Sequence, residues 1–143
     1  SGDCVPIETA YCVGAVIVGR DGGLIATGHS RETDSTVHAE EAALIKVGAA
    51  SLEGATVYST LEPCSTRNSR SDGCAQLILR NGGIQRVVYA LPEPLFIQDC
   101  RGDEMLRAAG VTVRIMDNPA YGYEALFRKL NKVTFAKFEG DNK

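Results

Sequence analysis

His38-Ala39-Glu40, read together with Thr60-Leu61-Glu62-Pro63-Cys64-Ser65 and the later Cys74, decides what kind of chain this is. The three segments supply one imidazole and two thiols, all good zinc ligands. A structural zinc site is ordinarily closed by four protein groups, while a hydrolytic one keeps a position for water. His38, Cys64 and Cys74 leave that position open. Glu40 is not needed as a ligand, and it follows His38 closely enough to handle protons on the bound water. Zinc lowers the pKa of such a water to roughly 7. A planar ring carbon that bears an amino group is the natural electrophile for this set of groups.

The residues around these segments place both halves of the site where a strand or loop enters a helix. Between His38 and Val47 the residues are Ala, Glu, Leu, Ile and Lys, reasonable helix formers, and Gly48 ends the run. His38 and Glu40 therefore fall in a first helical turn. Ala55 to Thr60 reads as a strand, and Leu61 to Asp72 as a loop rich in Ser, Asn and Arg. Cys74 opens a helix to Arg80, stopped by Gly82-Gly83. The partial positive charge at a helix start favours thiolate over thiol.

Further out, strands and helices alternate. Val13 to Val18 is a near-continuous apolar run, as expected of a strand buried on both faces. Asp21-Gly22-Gly23 reads as a turn and Leu24 to Thr27 as the returning strand of a hairpin. Ser30 to Val37 is a polar loop. Ile84 to Leu91 is a fourth strand, Gly102 to Ala109 a short helix, Val111 to Ile115 a fifth strand and Ala120 to Asn131 a final helix. Strands joined through helices predict an α/β sheet with parallel members, covered on both faces. A single domain is expected over residues 1–143, with a core over about 9–131 and a polar tail over 132–143.

Composition narrows the function classes. At 143 residues the chain can bury one well-formed core, and its 44% hydrophobic and 23% charged content is ordinary for a globular protein. No apolar run approaches a membrane span. A net charge of −3 argues against a nucleic-acid partner, and no basic, aromatic-interleaved face suggests single-strand binding. A small anionic substrate held by local arginines remains compatible. Five cysteines without a signal sequence look like a reduced, cytoplasmic set. Cys12, in an apolar strand pattern, reads as a buried small hydrophobe. Cys4 and Cys100 carry no spacing signal.

With these residues in view, the chain resembles the zinc-dependent cytidine deaminase superfamily, whose signature is H-x-E, then P-C, then a second Cys. Nine residues, Ser65 to Gly73, separate the two cysteines here, in place of two. That spacing, with Thr60 to Ser65, Val13 to Val18, Ile84-Gln85-Arg86-Val87-Val88 and Leu106 to Val111, looks like the pyrimidine deaminase of riboflavin biosynthesis. Thr9 to Gly14 and Gly28 to Glu32 look closer to its fungal-type branch. The resemblance implies a three-layer αβα fold with a five-stranded mixed sheet and helices on both faces. It implies one zinc per chain on His38, Cys64 and Cys74, Glu40 as proton shuttle, and a homo-oligomer such as a homodimer. It implies a diaminopyrimidinone substrate with a phosphorylated ribosyl or ribityl group, whose amine is replaced by oxygen. Ala10 and Tyr11 stand where the bacterial enzymes have Asn-Pro, and Ser65 to Arg70 replaces their His, Gly and Arg pattern.

The substrate-facing residues stay open to two readings. Arg67 and Arg70 can grip a phosphate, since guanidinium matches its geometry, or can belong to a solvated loop. Ser65, Thr66 and Asn68 are candidate hydrogen-bonding helpers. Arg31 can line the pocket or pair with Glu32 at the surface, and His29 reads as structural. Tyr121, Tyr123 and Phe127 read as packing residues. The rival functions are deamination of cytidine, deoxycytidylate, guanine or another pathway's intermediate, and a non-catalytic zinc module.

Overall fold

The structure, a computed structural model, describes residues 12–48, 51–64, 73–91, 101–116, 129, 131 and 132. These form strands β1 (Gly14–Val18) and β2 (Leu24–His29), helix α1 (Ala39–Ile45), strand β3 (Thr56–Leu61) and helix α2 (Cys74–Asn81). Strand β4 (Arg86–Leu91), helix α3 (Gly102–Ala108) and strand β5 (Thr112–Ile115) follow. One five-stranded sheet runs in the order β2-β1-β3-β4-β5. β1 is antiparallel to both of its neighbours, while β3, β4 and β5 are parallel, linked by crossovers through α2 and α3. The β1–β2 hairpin turns at Gly22, whose φ of +87° is one that glycine adopts freely. Asp21 Oδ1 accepts from the Gly23 N–H across the turn (2.9 Å).

The core lies between one face of this sheet and the helices. Cross-strand register aligns Ala26, Ile17, Val57, Val87 and Val113 on one row, all buried. Ala39, Ala43, Ile78 and Leu106 from the helices pack into the same cluster. Full burial of side chains such as Ile17, Ile78 and Leu106 contributes roughly 1.5–3 kcal/mol each. The helices pack side by side, α1 against α2 and α2 against α3.

Two expectations are corrected here. The apolar run of β1 predicts burial on both faces, yet only Ala15 and Ile17 are buried, while Gly14, Val16 and Val18 are partly open. Successive strand residues point to opposite faces, and among the described residues the helices α1, α2 and α3 all pack on the Ala15–Ile17 side. Cys12 is buried as expected but is disulfide-bonded, so the cysteines are not uniformly reduced. Its partner lies outside the described residues. So do most of the helix expected over 120–131, the tail over 133–143, and Tyr121, Tyr123 and Phe127.

Two packing features position the site. Gly28 of β2 lies directly under α1: a Cβ there would stand 2.3 Å from the Ala39 carbonyl oxygen and 2.5 Å from the Ala43 nitrogen. Glycine at this place, with Ala39, Ala42 and Ala43 facing it, lets the helix backbone settle on the strand. The leading end of β1 is tied by side chains. Asn131, fully buried, accepts from the Cys12 N–H through Oδ1 and donates to the Cys12 carbonyl (3.5 Å). Ser30 Oγ accepts from the Val13 N–H (2.9 Å) and donates to its carbonyl (3.4 Å). Thr60 Oγ1 does the same for Gly14, at 3.0 and 3.2 Å.

Candidate metal centre and active site

Three elements bring the metal candidates together. His38 is the extended residue that precedes α1, with φ −89° and ψ 161°. Cys74 is the first residue of α2, and Cys64 lies in the segment that leaves β3. His38 Nδ1 is 3.5 Å from Cys64 Sγ and 3.4 Å from Cys74 Sγ. All three ligand atoms lie within 4.8 Å of one another. The Cys74 N–H donates to Cys64 Sγ (3.2 Å) and the Ala75 N–H to the Cys64 carbonyl (3.0 Å), so the start of α2 fixes the Cys64 turn. Both thiols are free and buried.

The donor set fits zinc. Tetrahedral bonds of the usual zinc–sulfur and zinc–nitrogen lengths set sulfur and nitrogen about 3.5 Å apart, the spacing found between His38 and each cysteine. The charges agree. A hydrogen bond from Cys74, helped by His38, holds the Cys64 thiol well below its ordinary range despite burial. The same hydrogen bond, burial and the nearby Glu40 carboxylate push the Cys74 thiol up. One sulfur ionises at the other's expense, and a divalent cation between them removes that conflict.

Glu40 occupies the first turn of α1 and is buried, 4% exposed. Its carboxylate is close enough to Cys74 to raise that thiol through charge and hydrogen bonding. Ser59 Oγ donates to Glu40 Oε1 over 2.6 Å. The sequence reading missed Ser59. Its signal was a polar residue at an inward position of β3, between buried Val57 and Leu61.

A frame from α3 and β4 supports the Cys64 segment, also unread from sequence. A Cβ on Gly102 would stand 1.6 Å from the Pro63 carbonyl oxygen. The Asp103 N–H donates to Glu62 Oε2 (3.1 Å) and the Glu62 N–H to the Leu91 carbonyl (2.9 Å). Tyr89 OH donates to Asp103 Oδ2 (2.7 Å), and Arg107 pairs with the other Asp103 oxygen.

The remaining predicted residues divide. Ser65, Thr66, Arg67, Asn68 and Arg70 lie outside the described residues. Arg31 has φ +56°, its N–H donates to the Val37 carbonyl (2.8 Å), and its Nη2 contacts Cys12 Sγ (3.4 Å). Burial lowers its pKa. Glu32 pairs with Lys46 and sits 3.5 Å from His29 Nε2, which leaves His29 outside the metal group.

Residues 5–91 match the family described as the cytidine and deoxycytidylate deaminase zinc-binding region. The chain belongs to this family. It is 42% identical over 114 residues to the diaminohydroxyphosphoribosylamino-pyrimidine deaminase of Schizosaccharomyces pombe, a match over 77% of this chain and 28% of that protein. It is 41% identical over 103 residues to the riboflavin biosynthesis protein RibD of Aquifex aeolicus, covering 72% of this chain and again 28% of the relative. The chain thus spans little more than a quarter of the length of these relatives.

Among solved structures, it superposes with a TM-score of 0.73 on a diaminohydroxyphosphoribosylaminopyrimidine deaminase/5-amino-6-(5-phosphoribosylamino)uracil reductase from Thermotoga maritima. That pair is 30% identical, over 90% of this chain and 35% of the other. The C-terminal deletion mutant of Aspergillus oryzae Rib2 deaminase gives 0.76 at 27% identity, over 95% of this chain and 87% of the other. The five-stranded mixed sheet with its helices is therefore the cytidine-deaminase-like fold that the sequence resemblance implied. No helix among the described residues is long and apolar enough to cross a membrane.

Proposed function

We propose that this domain hydrolyses the exocyclic amine of a diaminopyrimidinone carrying a phosphorylated ribosyl or ribityl group, and releases ammonia. The observation that carries the reading is the grouping of His38, Cys64 and Cys74 beside a buried, hydrogen-bonded Glu40. The name of the Schizosaccharomyces pombe relative supports the choice of ring.

His38, Cys64 and Cys74 would hold the zinc. When bound, the ion supplies a Lewis acid that brings the pKa of a water to roughly 7. The residues of the chain do the rest. Glu40 accepts a proton from the attacking water, passes it to a ring nitrogen and then serves the departing amine, so that water and amine become carbonyl and ammonia. Its burial keeps these transfers away from bulk solvent. Arg67 and Arg70 would grip the phosphate, with Ser65, Thr66 and Asn68 as hydrogen-bonding helpers and Arg31 toward the pocket rim.

An ammonia-release screen on the purified zinc form tests the reading. It should include the diaminopyrimidinone ribotide, its ribityl analogue, cytidine, deoxycytidylate and guanine. Release from the ribotide or ribityl compound is expected, with about one zinc per chain. Glu40→Ala should keep the metal and lose turnover by at least about a hundredfold. Release from cytidine, deoxycytidylate or guanine alone would reassign the substrate. Bound zinc with no release from any of them would make the domain a non-catalytic zinc module.

A further inference from the structure

Ser59 makes a contact that neither metal binding nor proton transfer requires by itself. It is 6% exposed, in register with Ala15 of β1 and Tyr89 of β4. A hydroxyl on that apolar side of the sheet is costly to bury unless it is bonded. Its bond goes to Glu40 Oε1 over 2.6 Å, within the short range of O–H donors on carboxylates. The bond runs from the sheet to α1, so two packed elements fix one carboxylate. A glutamate has three side-chain torsions and, without such a tie, its carboxylate samples several positions.

We propose that Ser59 is a positioning residue for the deamination. Its hydroxyl holds Oε1 and fixes the Glu40 rotamer, which presents the carboxylate in one orientation for taking and returning the proton. This rests on the deaminase reading above. The physical basis is preorganisation: a reacting group held in place does not spend free energy on finding its position during the step. A hydroxyl that merely satisfies a buried carboxylate would affect folding and leave turnover alone.

The test compares zinc-loaded wild type, Ser59→Ala and Ser59→Thr, each also in a Glu40→Ala background, with the diaminopyrimidinone ribotide as substrate. Ser59→Ala is expected to lower kcat by about tenfold to a hundredfold while KM changes by less than about twofold. Zinc content should stay at the wild-type level. Ser59→Thr, which keeps the hydroxyl, should recover kcat to within about threefold of wild type. In the Glu40→Ala background, Ser59→Ala should change nothing further. A crystal structure of zinc-loaded Ser59→Ala should show the Glu40 carboxylate moved or split between rotamers. The proposal is overturned by wild-type turnover in Ser59→Ala, by a Thr variant that keeps zinc yet stays slow, or by an equal loss without Glu40. If wild type releases no ammonia, the deaminase reading fails separately. An unmoved Glu40 in the Ser59→Ala crystal then removes the tie on its own evidence.

Discussion

Tyr89 shows how much one hydroxyl can set at the scale of a residue. Burial, and then its hydrogen bond to Asp103, raise its pKa above the ordinary tyrosine value. The unfolded chain releases that proton near pH 10, while the folded chain keeps it. This contribution to stability is therefore complete below about pH 10 and is lost as the pH climbs past it. Tyr89→Phe should be about 1 kcal/mol less stable at neutral pH, having lost a donor to Asp103, yet should lack this part of the alkaline decline. Denaturant midpoints measured from pH 8 to 11 in both proteins check the sign. At this scale the sequence was legible where chemistry is rare. His38, Cys64, Cys74 and Glu40 stand out because few residue types bind zinc or move protons. Ser59 and Gly102 do not stand out because serine and glycine are common, and their roles come from partners distant in sequence, Glu40 and Pro63.

Helix α1 is seven residues long and contributes little stability alone, so its position depends on what it touches. Gly28 supplies such a contact, where β2 and the backbone of α1 lie close together. Gly28→Ala should push the helix away from the sheet, destabilising the protein by about 3 kcal/mol or more. It should also weaken zinc retention, because His38 precedes this helix. A melting curve and metal analysis on the purified variant read both effects. Element boundaries were largely legible. The run ended by Gly48 and the one opened by Cys74 appear as α1 and α2 with small shifts at their ends. The covering of β1 was not. An unbroken apolar stretch fits a strand with either one or two packed faces, and only the placement of the helices decides between them.

At the scale of the whole molecule, the sheet changes character at β3. Antiparallel pairing lies on the β1 side and parallel pairing on the β4 side. β3 runs toward Cys64, and the parallel half delivers Cys74 through its crossover helix, while the hairpin half delivers His38 through α1. A metal that joins these halves stabilises the folded form by mass action. A zinc excess of a thousandfold over its Kd is worth about 4 kcal/mol. Chelation should then lower the melting temperature by about 10 °C, and added zinc should restore it. An unchanged melting curve after verified zinc removal would show that the two halves hold together without it. The mixed sheet was foreseeable from the alternation of hairpin and crossover patterns. The α3–β4 frame around Glu62 was not, because it joins residues far apart in the chain through single hydrogen bonds.

The amides of Cys12, Val13 and Gly14 end on Asn131, Ser30 and Thr60, three stretches of chain that are remote from one another. Each of these protons is shielded from solvent by a different docking event. Deuterium uptake at three consecutive backbone positions would therefore time, one by one, when each of those stretches lets go of the strand.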